Sequence, residues 1–432
     1  MKNSLLAGCA AIAFAGLCGT AVAGDTAPGK FDVKLSGDAY FTAGYTGQNS
    51  APVATDRKRT GDFTNRFRLQ VTPTATADNG LEYGANIRIR AWNSTGTVDT
   101  DQAYIFADGK WGRLEGGVTP GPNTQYGVTA PSGFGTGGVF GDWSEGPGTA
   151  TWLNNQNTYL AGTFGGEYNT ITGNNWATKV NYFTPRFFAQ EDANTGLMAA
   201  ISYTPHNVNV NTGVSRVKGV GGAAAADSFC SYAGVAAPLQ GCGWSNIVEA
   251  DMFYSGSFNG VSVSTSFGYE QGNAAATTTT ANSFNDLKVY QFGLQLGYAG
   301  VLFGGGYQSA GKSGYTRSST TAAGAAVLNK TAQSSYNLGI SYENGPALVG
   351  FNYEHGEDAG DMALAGARKA DLYSVGATYT LAPGLTTSLE YLYSSTRNQA
   401  GFNSGSADYI GGNSLTGSKN ANLILWKNVV TF

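Results

Sequence analysis

Residues 30–45 read KFDVKLSGDAYFTAGY, a stretch in which apolar and polar side chains alternate. The odd positions from Phe31 to Tyr45 are apolar or small, whereas the even positions from Asp32 to Thr42 are mostly polar. A period of two places the two sets on opposite sides of a β-strand. The stretch therefore predicts a strand that separates an apolar environment from a polar one.

The same alternation recurs along the chain, with short turns such as 77–80 and 299–300 alternating with mostly longer loops rich in Thr, Ser, Asn, Gly and Ala. An even number of strands with short turns at one end and long loops at the other is typical of outer-membrane barrels. We therefore predict an all-β fold, a transmembrane antiparallel β-barrel, which must close because an open edge would leave backbone groups unpaired in lipid. The sixteen predicted strands span residues 30–45, 62–76, 81–92, 101–108, 112–119, 176–188, 196–205, 246–257, 260–271, 287–298, 301–310, 332–343, 346–355, 369–381, 384–396 and 420–432.

The first 23 residues are predicted to be a signal peptide, which leaves residues 24–432 as one barrel domain. Lys2 supplies the positive charge, an apolar run follows, and Ala21-Val22-Ala23 fits the usual cleavage pattern. The lipoprotein-like box that ends at Cys9 is the weaker alternative, because it precedes most of the apolar run. After residue 23 no apolar stretch approaches the ~20 residues that a membrane helix needs.

The composition favours a barrel in the Gram-negative outer membrane over a soluble periplasmic or secreted protein. Only 12% of the residues are charged, whereas soluble domains carry about a quarter. The 63 glycines suit curved strands and turns, and the 24 tyrosines and 22 phenylalanines suit interfacial girdles. A formal net charge of −4 argues against nucleic acid as a partner.

Two cysteines, Cys230 and Cys242, follow the predicted signal peptide and share one polar loop. In an oxidising compartment this arrangement favours a disulfide that closes the loop. A metal site is the alternative, but the only histidines in the sequence are His206 and His355, so ligands are scarce. We predict no metal and no cofactor.

The longest interval between predicted strands runs from residue 119 to residue 175 and is rich in Gly, Pro and Asn. A loop of this length is either functional or a sign of a wrong strand assignment. In a barrel it can fold into the lumen and narrow the pore. We therefore predict a constriction loop over 119–175, with Asp142 and Glu145 in its middle.

Five arginines lie on the predicted polar faces of neighbouring strands: Arg66, Arg68, Arg88, Arg90 and Arg113. A charged side chain facing lipid costs about 2–4 kcal/mol at the midplane, so these residues are expected to line the pore. One hypothesis is a cationic wall that faces Asp142 and Glu145 and sets ion selectivity. The alternative is a solvated patch on a wide pore.

Two motifs suggest other activities, and each has a simpler interpretation. Residues 306–313, GYQSAGKS, match the phosphate-loop pattern, but a poor helix former follows and no βαβ unit surrounds them. His355 has acidic neighbours and His206 follows a proline, yet both lie where a strand gives way to a loop. An external loop and exposed polar residues are therefore favoured over nucleotide binding and catalysis, and the protein is predicted not to be an enzyme.

The chain resembles the general porins of Gram-negative outer membranes. The segments 103–117 and 179–187 are similar to the strands that flank the family's constriction loop, and Phe432 resembles the terminal aromatic residue that the barrel-assembly machinery reads. Lys427 stands where that signal often has glycine, Asn428 interrupts its outward apolar row, and the link 93–100 is short for a segment that can latch onto a neighbouring subunit. The resemblance implies a homotrimer in outer-membrane lipid.

The sequence thus predicts a passive diffusion channel for ions and small hydrophilic solutes. One alternative is an eighteen-stranded, sugar-selective porin with lumenal aromatic residues such as Tyr40, Trp92 or Trp143 as a stacking track. Another is an outer-membrane enzyme or adhesin.

Overall fold

The computed structural model describes residues 30–48, 60–92, 98–141, 177–189, 195–206, 244–274, 284–315, 317, 319, 326–328, 330–359, 365–397 and 418–432. Within these residues every strand is antiparallel to both of its neighbours. The strand order follows the chain and the sheet closes on itself. None of the helices in the described ranges has the length and apolarity that crossing a membrane requires.

The sixteen strands agree closely with the ranges expected from the alternation of side chains. Their bounds are β1 Asp32–Gln48, β2 Gly61–Thr76, β3 Glu82–Trp92, β4 Val98–Gly109, β5 Gly112–Val118, β6 Thr178–Phe183, β7 Gly196–His206, β8 Trp244–Phe258, β9 Val261–Ala274, β10 Leu287–Tyr298, β11 Val301–Gly311, β12 Gln333–Asn344, β13 Ala347–Asp358, β14 Arg368–Ala382, β15 Leu385–Arg397 and β16 Ser418–Thr431. The predicted sixteen-stranded barrel is confirmed, and the eighteen-stranded alternative is wrong.

The clearest difference from the predicted ranges is the end of β6. The sequence pattern predicts a strand to residue 188, whereas β6 stops at Phe183. Pro185 follows and has no N–H to donate to a neighbouring strand, which limits proline within a sheet. Beyond it Phe187 makes only an isolated bridge with Leu197, and Phe188 has a positive φ of 56°.

Two of the short turns show why the strands reverse where they do. Asn259 and Gly260 have φ of 51° and 82°, and Ala299 and Gly300 have φ of 48° and 82°. Positive φ at both central residues is the geometry of a two-residue hairpin whose twist matches that of the strands. These turns fix the register of β8 with β9 and of β10 with β11.

Strands β1 and β16 close the barrel, and the last residue completes their pairing. The Phe432 amide donates to the Gly37 carbonyl at 3.0 Å, and the Gly37 amide donates to the Phe432 carbonyl at 2.8 Å. A Cβ at residue 37 would lie 2.9 Å from Phe432 Cζ and 2.2 Å from the Arg68 carbonyl oxygen. Glycine is therefore required here by the close approach of the terminal ring and the next strand.

The two faces of the sheet differ in chemistry. One face exposes large apolar side chains such as Phe41, Phe67 and Ile424, and the opposite face carries buried polar residues such as Asn337 and Glu390. Charged groups that face lipid are costly, so the apolar face is the outer one. A closed sheet of this kind is a membrane-spanning barrel.

Candidate functional site

The polar face of β1 to β4 and β16 carries a group of ionic side chains that we call the basic strip. Its members are Arg66, Arg68, Arg88, Arg90, Lys427, Asp38, Asp99 and Asp101. Arg68 lies directly opposite Arg90 on β3 and opposite Asp38 on β1, because the registers of these strands align them. The four predicted arginines of β2 and β3 therefore share one face and one region, as their parity indicates.

Carboxylates on the same wall hold these arginines. Asp38 contacts Arg66 at 3.2 Å and Arg68 at 2.6 Å. Arg88 forms two hydrogen bonds of 2.7 Å to Asp101, and Arg90 lies 2.9 Å from Asp101. Paired bonds of this kind fix the plane of a guanidinium.

Asp99 extends the network towards the loop end of β4. Its Oδ2 lies 2.9 Å from NH2 of Arg90. The other terminal nitrogen of that guanidinium, NH1, lies 2.9 Å from Asp101. Among the described residues of the basic strip, the cationic side chains outnumber the three aspartates. The strip therefore keeps a positive balance although its charges are paired.

An aromatic ring completes the strip. The Arg66 guanidinium lies 4.7 Å from the centroid of the Tyr40 ring, and Lys427 Nζ lies 4.3 Å from it. Both distances are within the range of cation–π contacts. Tyr40 is only 6% exposed, so its ring is covered rather than open for a sugar to stack on.

Arg113 shares the polar face but belongs to a different cluster. Its partners Glu115 and Asp108 lie at 2.8 Å and 3.6 Å. In the strand registers, Arg88 of β3 lies opposite Gln102 of β4, and Arg113 of β5 lies opposite Asp108 of β4. Those two β4 positions are about 20 Å apart at the rise of a strand, so Arg113 does not join the basic strip.

Sequence analysis missed the acidic half of the strip and Lys427. Asp38 and Lys427 could have been found from the alternation, since each lies on the polar side of its strand. Asp99 could not, because β4 begins at Val98 and has a register shift after Arg88. Asp142, Glu145, Cys230, Cys242 and Trp143 lie outside the described residues, as does the side chain of Trp92.

Residues 119–141 follow β5 and lie against the polar face of the sheet. A short helix, α1 (Pro122–Tyr126), opens the segment. The Asn123 amide donates to Glu249 at 2.8 Å, and the Asn123 side chain donates to Asp251 at 3.2 Å. Lys179 Nζ donates to the Thr119 carbonyl at 2.7 Å. The first half of the segment is therefore attached to β6 and β8.

The second half reaches β12 to β15. The Ala130 amide donates to Asn337 at 2.7 Å, and the Val139 amide donates to Asn352 at 3.1 Å. The Thr136 amide and hydroxyl both donate to Glu390, the hydroxyl at 2.6 Å. Asn337, Asn352 and Glu390 thus accept hydrogen bonds from main-chain amides of the segment, and Glu390 also accepts one from the Thr136 hydroxyl. These bonds fix the path of the segment at several points.

Apolar packing supports the same attachment. A 3₁₀ turn at Gly138–Phe140 places Val139 and Phe140 in a buried cluster with side chains of β14, β15 and β16. The wall members of this cluster are Ala370, Leu372, Leu392, Ala421, Leu423 and Leu425. These residues form an apolar area on the inner face, and burying them against the segment is favourable.

The motifs that suggested nucleotide binding or catalysis belong to strands and turns of the barrel. Residues 306–311 of the phosphate-loop pattern lie in β11, and a turn rather than a helix follows them. His355 is on the outer face of β13, with Nδ1 2.7 Å from Asp371 Oδ1. The nucleotide-binding interpretation therefore lacks the helix that it needs.

The sheet is closed and antiparallel, its outer face is apolar and its inner face carries ionic side chains. These features are those of an outer-membrane β-barrel of the channel type. A sequence model of the Gram-negative porins matches residues 8–399, and the chain belongs to that family. Its location is accordingly the Gram-negative outer membrane, and its family points to a channel rather than an enzyme.

Individual relatives are distant. A porin of Rhodobacter capsulatus is 33% identical over 86 residues, which are 20% of this chain and 24% of that protein. The alignment thus spans about a quarter of that curated relative. Among solved structures, an anion-selective porin from Comamonas acidovorans has a TM-score of 0.53 at 15% identity and covers 93% of this chain and 100% of its own. A loop L8 deletion mutant of the Vibrio cholerae outer membrane protein OmpT has a TM-score of 0.51 at 12% identity, and the match covers 93% of this chain and 99% of that chain. These structures are similar in fold.

Proposed function

We propose that the protein is a passive diffusion channel for ions and small hydrophilic solutes, and that the basic strip sets its selectivity. The observation that carries this proposal is the concentration of ordered, paired arginines on one wall of a closed barrel. Ions passing such a wall experience its net field without needing a binding pocket. No chemical step and no cofactor are part of this function.

The proposed constriction is formed by residues 119–175, folded into the lumen opposite the basic strip. Support comes from the hydrogen bonds of residues 119–141 to the polar face between β6 and β15, which leave β1 to β4 on the other side, while Val139 and Phe140 also pack against β16. Asp142 and Glu145 directly follow this attached part in the sequence. We propose that they oppose the basic strip across the narrowest part of the pore.

The test is the reversal potential of single channels in a salt gradient. The double variant Arg68→Ser/Arg90→Ser loses two cations, while Asp38, Asp99 and Asp101 remain. Its reversal potential should therefore shift in the direction of greater cation selectivity. Replacing Asp142 and Glu145 by Ser should shift it the other way. Charges outside the pore are screened beyond ~10 Å at 0.1 M salt and should have little effect.

A matched control is Arg317→Ser, which removes an arginine that is half exposed and paired only loosely with Asp286 at 3.7 Å. Its reversal potential should equal that of the parent protein. If both double variants keep the parent reversal potential and conductance, the basic strip and the acids lie away from the constriction, and the proposed basis of selectivity is wrong.

We propose that the channel is a homotrimer inserted by the barrel-assembly machinery. Support comes from the family, together with the complete pairing of the terminal residue with β1. Gentle detergent extraction followed by cross-linking should give a trimer. A monomer under the same conditions would contradict the assembly while leaving the channel activity of each barrel open to measurement.

A disulfide between Cys230 and Cys242 remains a prediction. Mass spectrometry of the mature protein prepared without reductant should show a peptide pair joined through these two residues. Because both lie in one loop between β7 and β8, replacing either by Ser should leave conductance unchanged. Two free thiols in that preparation would refute the bond.

A further inference from the structure

We propose that a band of five inward glycines on β10 to β14, which we call the glycine bed, sets the width of the pore. Its members are Gly293, Gly306, Gly339, Gly350 and Gly376, and residues 128–135 lie directly on it. Glycines let this part of the segment lie closer to the wall than side chains would, which leaves more of the lumen open. The inference rests on the proposed function, because it assigns the residues that determine the width of that channel.

The glycine bed is a band across five neighbouring strands. Gly293 lies opposite Gly306 in the register of β10 with β11, and Gly350 lies opposite Gly376 in the register of β13 with β14. The strand between these two pairs, β12, supplies Gly339. The segment therefore meets a glycine on each strand that it crosses from β10 to β14.

The inward direction of the bed follows from strand parity. Gln295, two residues from Gly293, donates to the Thr129 carbonyl at 2.8 Å. Asn352, two residues from Gly350, donates to another carbonyl of the segment at 3.1 Å. Side chains two residues apart in a strand share a face, and the pairing of the strands places the other members of the bed on that same face.

The Phe134 ring makes a particularly close approach to the bed. It is fully buried. A Cβ at residue 350 would lie 2.7 Å from Phe134 Cγ and closer still to two other carbons of the ring. Carbon atoms in contact are about 3.5–4.0 Å apart, so a side chain at residue 350 would displace the ring by about 1 Å or more.

At Gly293 the main chain of the segment occupies the space that a side chain would need. A Cβ there would lie 2.5 Å from the Val128 carbonyl carbon and closer still to its oxygen. The Val128 amide donates to the Ser266 hydroxyl at 2.8 Å, which holds the main chain at this depth. Glycine within a strand often marks such a close approach of another backbone.

Curvature of the strands does not by itself account for the bed. At all five positions an atom of residues 128–135 is among the three nearest to an added Cβ. By contrast, a Cβ at Gly116 on β5 would meet none of the described atoms within 4 Å. A glycine that serves only to bend a strand need not be covered in this way, so the five covered glycines make room for the segment.

The test compares the parent with Gly350→Ala in planar-bilayer recordings and in liposome swelling with sugars of increasing size. The conductance should fall by roughly a quarter or more, because the segment is raised by about 1 Å into a narrow pore. Uptake of the trisaccharide raffinose should fall more than uptake of the pentose arabinose. A loss that grows with solute size reports a narrower pore, whereas a smaller number of folded channels would lower both rates equally.

A rescue variant separates the height of the segment from general damage to the wall. Phe134→Ala removes the ring that the new Cβ would displace. Adding Gly350→Ala to Phe134→Ala should therefore change neither the conductance nor the ratio of the two sugar rates. The matched control is Gly116→Ala, which makes the same substitution where the described part of the chain leaves space, and it should behave as the parent does.

A second position gives the same comparison if heat-modifiable migration shows that Gly350→Ala does not fold. A Cβ at residue 376 would lie 3.0 Å from Gly135 Cα, so Gly376→Ala requires a smaller displacement and should give a smaller decrease in the same direction. Crystal structures of the parent and the folded variant measure the displacement directly. The main chain at residues 134–135 should lie further from the wall in the variant.

Three results would overturn the proposal. A folded variant could keep the parent conductance and sugar ratio, its conductance could rise because the segment is released, or its crystal structure could show the Phe134 side chain turned aside with the main chain in place. A parent without conductance would instead refute the proposed function. In that case the crystal structures would still decide whether the glycine bed sets the depth of the segment.

Discussion

Replacing Glu390 by Ala should increase the single-channel conductance and the current noise. Glu390 accepts hydrogen bonds from the Thr136 amide and hydroxyl and, on its other oxygen, from Ser374 at 2.6 Å. The alanine variant leaves these buried donors unpaired. Each lost bond to a charged or buried partner costs about 1.5–3 kcal/mol.

The energetic argument gives the scale of the effect. A loss of even one such bond raises the population of detached segment at least about tenfold. In the proposed channel, detachment of residues 119–141 from β15 widens the constriction, so larger and more variable currents are expected. Planar-bilayer recordings of the parent and the variant measure both quantities.

Two variants make the measurement specific. Glu390→Gln retains one acceptor oxygen for Thr136 and should lie between the parent and Glu390→Ala. Ser394→Ala alters a buried polar side chain on the same strand whose hydroxyl has no hydrogen-bond partner among the described residues, and should leave the current unchanged. Parent-like conductance and noise in Glu390→Ala would show that this attachment does not control the pore.

Deleting Phe432 should lower the amount of folded barrel in the outer membrane by about tenfold or more. The deletion removes both backbone hydrogen bonds to Gly37 and the contact of the Phe432 ring with Phe67, whose centroids are 5.8 Å apart. These interactions complete the pairing of β1 with β16. Unpaired backbone groups at membrane depth cost several kcal/mol each.

Heat-modifiable migration of outer-membrane fractions measures the folded barrel. Phe432→Ala keeps the backbone bonds and removes the ring, so its folded yield should be intermediate, and Phe432→Tyr should behave as the parent does. A deletion strain with normal levels of heat-modifiable barrel would exclude a role for the terminal residue. Equal losses in Phe432→Ala and the deletion would assign the effect to the ring.

The sequence by itself predicted sixteen strands and, where the alternation is regular, the face of each side chain. Alternation with period two is local, and a strand in a barrel must satisfy it because lipid lies on one side and polar groups on the other. The arginines of β2 and β3 were therefore placed on one wall from parity alone. The end of β6 was misjudged because the alternation continues past Pro185, whereas the regular ladder ends at Phe183.

Only the tertiary structure decided which side chains meet. The partnership of Asp38 with Arg66 and Arg68 depends on the register of β1 with β2, and the contact of Lys427 with Tyr40 depends on closure between the two ends of the chain. The attachment of Thr136 to Glu390 joins residues that are distant in sequence. Such contacts are set by register, shear and loop path, which depend on the packing of the whole barrel and leave no periodic signal in the sequence.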